Sequence, residues 1–478
     1  MIEILVAVAA TVVFIVGFRF LKVVAIAQRI IEHARVGVGA MLNIELSDIE
    51  KERATRKAGV QLLLGSFAIF WRMLLCAAAG MVPVYGVDYF GYMTVSSVFD
   101  LFLSWEFIVV ITAVLLILVS LIKRFGASGE ISKPEYSLPD QLLHIVAFSN
   151  ARFQKALAEC EYYFFNKKID SVQLGAPVFV TSLARGGTTA MLNALSASSG
   201  FVTYQYKDMP FITSPLLWGK FSSLLNRKVN RRKRLHGDNL EIDLNSPEAF
   251  DEVIWKLLWP KKYSQVIDLW TAEDYNKEKN EFLQRNIRSL ACLRHKAFAR
   301  YLSKNNANIA RLNVLPQMFP GCSIIVPIRD PIAHASSLHR QQLNFSKLQG
   351  DDEFTKRYMR DIGHFDFGLI HKPIAFNGFE AGIYSPDSPD YWLNYWISAF
   401  SEVIKHSDFC VFVSQDDLRD NPNRVMAVLG NQLSIDLEDE DFRQFFVSFP
   451  DKADTSAFSQ DLVGKAYELY ESLVNKKI

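Results

Sequence analysis

The sequence predicts an α/β domain with a parallel sheet, preceded by a transmembrane region built of α-helices. Short apolar runs at residues 177–181, 323–328 and 409–413 alternate with longer helical patterns. This alternation is typical of parallel strands that are buried on both faces and joined by crossover helices. Within the first 124 residues, three long apolar blocks have the length and composition of membrane spans.

Composition limits the class of function. The 478 residues carry 52 basic and 51 acidic side chains, which gives a net charge of +1. This balance does not indicate a nucleic-acid partner. Mean hydropathy is slightly positive at +0.09, and the apolar excess lies near the N-terminus. The five cysteines are scattered without the spacing of a zinc site or a disulfide framework, so the sequence predicts reduced thiols and no metal.

Three apolar blocks, at residues 2–18, 59–87 and 107–122, predict three membrane spans. The first block lacks the basic region and the cleavage site of a signal peptide, so we expect a retained anchor. Arg72 interrupts the second block, and two interpretations stay open. Arg72 lies in mid-bilayer with a functional role, at a cost of about 2.5–3.5 kcal/mol. Alternatively, the span begins near Met73 and the residues before it continue a surface helix.

The loops between the blocks predict the orientation. No Lys or Arg occurs at residues 88–106, between the second and third blocks. Between the first and second blocks lie Arg19, Lys22, Arg29, Arg35, Lys51, Arg53, Arg56 and Lys57. Because loops rich in Lys and Arg stay in the cytoplasm, the N-terminus is predicted outside and everything after Lys123 inside. We expect an integral protein of a bacterial inner membrane, with its large domain facing the cytoplasm.

Breaker residues and periodicity divide the chain. Residues 1–124 form the membrane region, whose basic connector starts a helix at the capping-box pattern Ser47-Asp48-Ile49-Glu50. Residues 125–140, rich in Gly and Pro, form a linker. Residues 141–478 form the α/β domain. Its predicted helices lie at residues 188–198, 247–258, 291–303, 391–405 and 460–475.

The first motif reads PVFVTSLARGGTTAMLNAL over residues 177–195. An apolar strand is followed by Arg185-Gly186-Gly187 and by a helix that begins at Thr188 or Thr189. Backbone N–H groups that converge at a helix N-terminus bind anions, and glycines let the backbone approach the anion closely. The alternative is an ordinary strand-to-helix turn with Arg185 in solvent. The GxxxxGK[ST] spacing of ATP- and GTP-hydrolysing loops is absent.

The second motif reads SIIVPIRDPIAHASSLHR over residues 323–340. Its strand ends at Arg329, and Pro331 suits the first turn of the next helix. Ser337 lies eight residues after Arg329, which is two helical turns, so the two side chains can clamp one anion. The alternative is that Arg329 pairs with Asp330 and that Ser337 is merely exposed.

Together the two motifs resemble the family of sulfotransferases that use 3′-phosphoadenosine 5′-phosphosulfate (PAPS). The resemblance covers about residues 175–413 and implies a P-loop-like, three-layer fold that works without a metal. It assigns the 5′-phosphosulfate of the donor to Arg185, Gly186, Gly187, Thr188 and Thr189. It assigns the 3′-phosphate to Arg329 and Ser337.

Two positions depart from the family pattern. Arg185 stands where soluble members that act on small molecules have lysine, which looks more like the branches that act on carbohydrates and on protein tyrosines. Gly186 replaces the commoner serine, and this removes one hydroxyl contact to the donor.

The resemblance also implies two catalytic roles. Arg185 stabilises the charge that grows on the leaving phosphate, and a base removes the proton of the acceptor. In related enzymes a Glu, His or Asp after the first helix serves as that base. Asp208 holds this position and is our first choice, followed by Glu241, Asp243 and His236.

Three further segments have open interpretations. Six of the eight residues at 227–234 are basic, which fits either a solvated loop or contact with anionic lipid headgroups or an anionic acceptor. Residues 304–308 precede the second motif and are candidates to line the nucleotide cleft. His364 and His371 lie in an irregular segment, 363–378, that is either a lid or structurally buried.

The function predicted from these features is transfer of a sulfuryl group from PAPS to a hydroxyl or an amine. The acceptor is expected to be a glycan, a lipid-linked molecule or another small molecule at the cytoplasmic membrane face. The predicted partners are the lipid bilayer, PAPS and this acceptor, with no nucleic acid. The alternatives are a non-catalytic membrane protein that binds PAPS or its product, and another nucleotide-dependent transferase of similar fold.

Reporter fusions test the predicted topology. A reporter that works only outside the cytoplasm should be active when fused near Ser97, because residues 88–106 hold no Lys or Arg. The same reporter fused after Ile478 should be silent. Activity of the fusion after Ile478 would contradict the cytoplasmic placement of the large domain.

Overall fold

The computed structural model of the chain divides into two compact units, Met1–Lys133 and Pro134–Ile478. The structure describes residues 2–23, 26, 29–30, 48–92, 94–103, 138–198, 200–224, 232–233, 241–242, 244–248, 250–437, 440–446 and 454–478.

The described part of the N-terminal unit is helical. Its helices are α1 (Ile2–Phe20), α2 (Asp48–Tyr89) and α3 (Val95–Leu103). Helix α2 begins where the capping-box pattern predicts a helix. Its stretch Arg56–Tyr89 is long and apolar enough to cross a membrane, and only 6% of its most apolar window is buried. The third predicted span, at residues 107–122, lies outside the described residues.

Small residues bring α1 and α2 close together. A Cβ on Gly80 would lie 3.2 Å from the Ala10 carbonyl oxygen, and one on Gly17 would lie 3.5 Å from Cys76 Sγ. Apolar helices that lack bulky side chains at their contact can approach closely and gain van der Waals attraction. Arg72 lies within the unbroken helix α2, where its guanidinium donates to the Ala68 carbonyl (3.1 Å). Both interpretations of Arg72 remain open.

A five-stranded parallel sheet forms the centre of the second unit. The strands are β1 (Gln173–Val180), β2 (Phe201–Val202), β5 (Phe298–Lys304), β6 (Ser323–Ile328) and β7 (Cys410–Ser414). Their order across the sheet is β2-β5-β1-β6-β7. A separate antiparallel pair joins β3 (Arg232–Lys233) to β4 (Glu241–Ile242).

Helices cover both faces of this sheet. In chain order they are α4 (Leu138–Ala147), α5 (Ala151–Asp170), α6 (Thr188–Ser196), α7 (Pro215–Leu224), α8 (Glu252–Leu258), α9 (Lys277–Leu293), α10 (Leu315–Met318), α11 (Pro331–Asp351), α12 (Glu353–Ile362), α13 (Pro389–Val403), α14 (Gln415–Asp420), α15 (Pro422–Leu433) and α16 (Gln460–Val474). Neighbouring residues of β1 enter opposite cores, Phe179 one and Val178 and Val180 the other. The predicted α/β fold with three layers and a parallel sheet is confirmed.

Most predicted elements occur as expected, and one is wrong. The predicted strands at residues 177–181, 323–328 and 409–413 correspond to β1, β6 and β7. The helix predicted at 291–303 does not exist as such, because α9 ends at Leu293 and the chain then forms β5. His295, with a left-handed φ of +56°, lies in the turn between them. Pairing of β5 with strands on both sides overrides the helix preference of its Ala, Leu and Lys residues.

Buried polar groups hold the carboxyl end of β5. The Asp251 carboxylate accepts from Ser303 Oγ (2.6 Å) and from Asn305 Nδ2 (3.1 Å). Asn305 also donates to Glu252 Oε2 (2.7 Å). Burial raises the pKa of Asp251 to about 6. Because a buried polar group without a partner is costly, this network fixes the end of β5 in one place.

Arg311 completes the same network. It has no exposed surface, and its Nη2 lies 2.8 Å from both oxygens of Glu252. Its guanidinium sits 4.4 Å from the ring centre of Trp255 and 4.6 Å from that of Trp270. A planar cation suits such stacking, so the two indoles and the carboxylate together offset the cost of burying the charge.

Candidate functional site

The loop between β1 and α6 has the backbone of an anion site. Arg185 and Gly187 both have left-handed φ angles, +66° and +92°. Helix α6 begins at Thr188, directly after Gly187 at its N-cap, where no side chain satisfies the first N–H groups. These N–H groups carry the positive end of the helix dipole, so the loop and the start of α6 can bind a phosphate or a sulfate.

Close packing explains both glycines of this loop. A Cβ on Gly186 would lie 2.6 Å from Ser182 Oγ and 2.9 Å from the Leu183 carbonyl oxygen. A Cβ on Gly187 would collide with the side chain of Gln415, which follows β7. The glycine that departs from the family pattern at 186 is therefore the residue that this loop geometry requires.

The two motifs meet at the carboxyl edge of the sheet. Arg185 Nε donates to Ser337 Oγ (3.2 Å), and Arg329 Nη1 donates to the Arg185 carbonyl (3.1 Å). Ser337 is 2% exposed. Asp330 caps α11 by accepting from the Ala333 N–H (2.8 Å), which is a local role. The residues predicted to bind the two ends of one nucleotide thus lie in direct contact with each other.

His334 forms a hydrogen bond to the start of the loop, a role that the sequence analysis did not predict. Its Nε2 lies 2.8 Å from the Ala184 carbonyl oxygen, and its Nδ1 accepts from Trp396 Nε1 (3.2 Å). Burial, together with the positive charges of Arg329 and Arg185, lowers its pKa to about 3. The ring is therefore neutral and donates through Nε2. The sequence feature that points to His334 is its position three residues before Ser337, which places both residues on the same face of α11.

A chain of side chains connects the start of α6 to a histidine and a carboxylate. Thr188 Oγ1 donates to Asn306 Oδ1 (3.2 Å), and Asn306 Nδ2 donates to Asp366 Oδ1 (3.3 Å). Asp366 Oδ2 lies 3.8 Å from His364 Nε2, and the two side chains are 26% and 20% exposed. Asn306 belongs to the segment 304–308 predicted to line the cleft. Asp366 is therefore connected to the start of α6 through Asn306, His364 lies beside Asp366, and both side chains are partly exposed.

Lys304 forms a second connection at this edge. It ends β5 and pairs in register with Val180, the last residue of β1. Its Nζ lies 3.3 Å from Glu248 Oε1, and Tyr206 donates to the other oxygen of that carboxylate (3.0 Å). The edge thus holds three basic side chains, Lys304, Arg185 and Arg329, beside the start of a helix. This concentration of positive charge favours a polyanionic ligand.

A comparison with known families adds to this geometry. Residues 177–366, which run from β1 through both motifs to Asp366, match the family model described as the sulfotransferase family. This region of the chain is similar to the sulfotransferase family. The matched region includes every residue that the sequence analysis assigned to binding of the donor, among them Arg185 and Arg329.

Solved structures give more distant similarities to this chain. A sulfotransferase from Mycobacterium avium is 12% identical, with a TM-score of 0.41, over 71% of this chain and 87% of that one. A sulfotransferase from Mycobacterium tuberculosis H37Rv is 14% identical, with a TM-score of 0.38, over 68% and 83%. None of the curated proteins matches the chain. The family assignment therefore comes from the family model.

Asp208, the first choice for a catalytic base, has other contacts. Its carboxylate is 1% exposed and lies 2.8 and 2.6 Å from Arg294 Nη2. It also accepts from the Gln205 N–H (2.7 Å). These contacts attach the segment after β2 to the end of α9 and give Asp208 a structural role. Among the alternatives, Glu241 lies in β4, and Asp243 and His236 lie outside the described residues.

Within the part of the chain that the structure describes, no group of three or more His, Cys, Asp or Glu side chains could hold a metal ion.

A variant of Asp208 distinguishes a structural role from a catalytic one. Asp208→Asn leaves Arg294 without its buried partner, so it should lower the free energy of unfolding by about 3 kcal/mol. We expect denaturant unfolding of the purified protein to show this loss, while turnover per folded molecule stays near that of the wild type.

The matched control is Asp461→Asn, which removes an exposed pair with Lys465 and should not change unfolding. The structural role is excluded if Asp208→Asn unfolds like the wild type but turns over at least 100-fold more slowly. That result would restore Asp208 as the base.

Proposed function

We propose that this protein is a membrane-anchored sulfotransferase that moves a sulfuryl group from PAPS to a hydroxyl or an amine of its acceptor. One observation supports the choice of donor above the others. The loop at Arg185 and the second motif at Arg329 and Ser337 meet at one edge of the sheet. A nucleotide with phosphates at both its 5′ and 3′ positions matches two adjoining anion sites, whereas ATP and GTP have no 3′-phosphate.

The two anion sites have different roles. The N–H groups at the start of α6, the hydroxyls of Thr188 and Thr189, and Arg185 would hold the 5′-phosphosulfate. Arg329 and Ser337 would hold the 3′-phosphate. Because the 3′-phosphate is present in both the donor and the product, its contacts bind the nucleotide throughout the reaction.

The chemistry breaks one S–O bond and forms another. The acceptor atom attacks sulfur, and the electron pair of the broken bond stays on the phosphate oxygen of the product, 3′-phosphoadenosine 5′-phosphate. Arg185 and the loop N–H groups stabilise the charge that grows on this oxygen. The loop geometry is preorganised for this role, since the left-handed backbone at Arg185 and Gly187 is already formed.

The proton of the acceptor needs a base, and we propose His364 with Asp366 in place of Asp208. These two side chains are partly exposed and are joined to Thr188 through Asn306. A neutral imidazole accepts a proton near neutral pH, and a neighbouring carboxylate stabilises the cation that forms. Asp208 lacks this accessibility because both its oxygens face Arg294.

The membrane and the acceptor belong to the same proposal. The candidate span in α2 would anchor the enzyme, and the basic segment between the apolar blocks favours a cytoplasmic position for the catalytic domain. PAPS is a soluble nucleotide, so a cytoplasmic domain would meet it directly. We propose a glycan or a lipid-linked molecule at that membrane face as the acceptor.

Isotope transfer tests this function. Membranes that contain the protein are incubated with ³⁵S-labelled PAPS and then separated into lipid, glycan and protein fractions. Label in the lipid or glycan fraction that is lost with Arg185→Ala supports the proposal. Saturable nucleotide binding without transfer to any fraction would instead identify a non-catalytic PAPS-binding protein.

Two arginine variants separate binding from catalysis. Arg329→Ala removes a charge-assisted contact to a phosphate that is present in donor and product, worth about 1.5–3 kcal/mol or roughly 10- to 150-fold in affinity. Arg185→Ala should lower kcat more than nucleotide affinity, because Arg185 stabilises the negative charge that grows on the phosphate oxygen during the reaction. Calorimetric titration with 3′-phosphoadenosine 5′-phosphate and saturation kinetics with PAPS measure both effects. Wild-type nucleotide affinity in Arg329→Ala would mean that the second motif has another role.

A histidine variant tests the base. His364→Gln should lower kcat by about 10²–10⁴-fold and remove the acidic limb of the kcat–pH profile, with unchanged affinity for the product nucleotide. The matched control is His339→Gln, on the outer part of α11. It should keep the wild-type kcat and the acidic limb of the kcat–pH profile. If His364→Gln turns over normally, Glu248 becomes the next candidate, tested in the same way by Glu248→Gln.

A further inference from the structure

Exposed aromatic side chains gather at the ends of α5 and α7. Tyr163 is 76% exposed, Phe164 67% and Phe221 52%. The rings of Tyr163 and Phe164 contact each other, with centres 5.4 Å apart. Single exposed apolar residues are common on soluble domains, but several in one place indicate an interaction surface.

Contacts between α5 and α7 show that the two helices run side by side in the same direction. In the first turn of α7, the Leu217 N–H donates to Oε2 of Glu161 in the middle of α5 (2.9 Å). One turn later in both helices, Lys220 Nζ lies 4.3 Å from the ring centre of Phe165. The C-terminal ends of both helices therefore lie together. This brings Phe221 to the same end of the helix pair as Phe164.

Positive charge surrounds these aromatic rings. Lys167 and Lys168 are exposed in the last turn of α5, and Lys220 lies beside Phe221 on α7. Across the residues that the structure describes, no ion pair includes Lys167 or Lys168. The chain then continues into residues 227–234, six of which are basic. Lysines at a helix C-terminus interact favourably with the helix dipole. This interaction does not explain why exposed aromatic rings lie beside them.

We propose that this aromatic–lysine surface docks on an anionic lipid bilayer. The surface consists of Tyr163, Phe164, Lys167, Lys168, Lys220 and Phe221. Aromatic rings favour the headgroup level of a bilayer, and each lysine near an anionic surface is attracted to it. The proposal adds a second membrane contact to the anchor in α2 and rests on that proposed anchoring.

The size of the surface favours lipid over a second copy of the chain. One aromatic side chain buries roughly 150–250 Å² at most, so three bury about 450–750 Å², less than the ~800 Å² per partner of a stable protein interface. The three lysines of the surface would also repel the three lysines of an identical surface. A bilayer requires neither a large area nor shape complementarity, because the rings insert individually and the charges interact with many headgroups.

The position of the surface leaves the active edge free. Helix α5 ends at Asp170 and leads within three residues into β1 at Gln173, so its C-terminal end lies at the amino edge of the sheet. The β1–α6 loop lies at the opposite, carboxyl edge. Docking through α5 and α7 would therefore leave the nucleotide site uncovered by lipid, and of the two proposed acceptors this orientation favours the glycan.

A spin label on Cys160 can report the docked state. Cys160 is exposed and lies one turn before Phe164 on the same side of α5. The full chain is placed in nanodiscs of neutral phosphatidylcholine, or of phosphatidylcholine with 30% anionic phosphatidylglycerol. The label is then compared for its accessibility to oxygen, which concentrates in lipid, and to a water-soluble nickel complex. Cys160→Ser gives the background from the other cysteines.

We expect accessibility to oxygen relative to nickel to rise at least threefold in the anionic discs and to fall again in 0.5 M salt, where charge is screened. Lys167→Glu/Lys168→Glu and Tyr163→Ser/Phe164→Ser should each remove the rise. The matched control Lys347→Glu/Arg424→Glu makes the same charge change on exposed positions of α11 and α15 and should retain it.

Equal accessibility in neutral and anionic discs overturns the proposal. So does low accessibility to both reagents in both discs and in detergent, because the surface is then covered by protein. Sulfuryl transfer from PAPS, measured in the same discs, distinguishes failure of the docking proposal from failure of the proposed function. The docking variants should transfer normally to a soluble acceptor, and wild-type protein that docks but never transfers would contradict the proposed function alone.

Discussion

The site depends on the register in which β1 lies between β5 and β6. Val180, the last residue of β1, pairs with Lys304 on one side and with Ile325 on the other. All three strands therefore end near one another, and the side chains that follow them lie at the same edge of the sheet. Parallel pairing makes this convergence unavoidable, because every strand delivers its carboxyl end to the same place. A slip of one residue would turn each of these side chains to the other face of the sheet.

Burial of charge maintains that register at β5. Asp251, Glu252 and Arg311 lie in the interior and satisfy each other directly or through the polar side chains at the end of the strand. An apolar core in their place could be equally stable. The polar network, however, accepts only one position of Asn305, since a shifted strand would leave buried groups without partners. Specificity of position is what the neighbouring Asn306 needs in order to reach Thr188.

Local and non-local features differed in how well the sequence predicted them. The loop from Arg185 to Thr188 could be predicted because a strand, two glycines and a helix start are adjacent in the chain. The strand β5 could not, because its residue preferences favour a helix and only pairing with β1 and β2, far along the chain, decides otherwise. The contacts of Asp208 could not be predicted for a similar reason. Its partner Arg294 lies 86 residues away, and no local pattern reveals such a pair.

The uncharged state of His334 has a consequence for how the enzyme would respond to acidity. Its imidazole stays neutral down to a pH of about 3, so Nε2 donates to the Ala184 carbonyl while Nδ1 accepts from Trp396. Protonation of His334 therefore does not disturb the loop at Arg185 within the pH range of a cell's interior. A change of rate within that range has to come from another group, such as the base of the acceptor or Asp251, whose pKa is about 6.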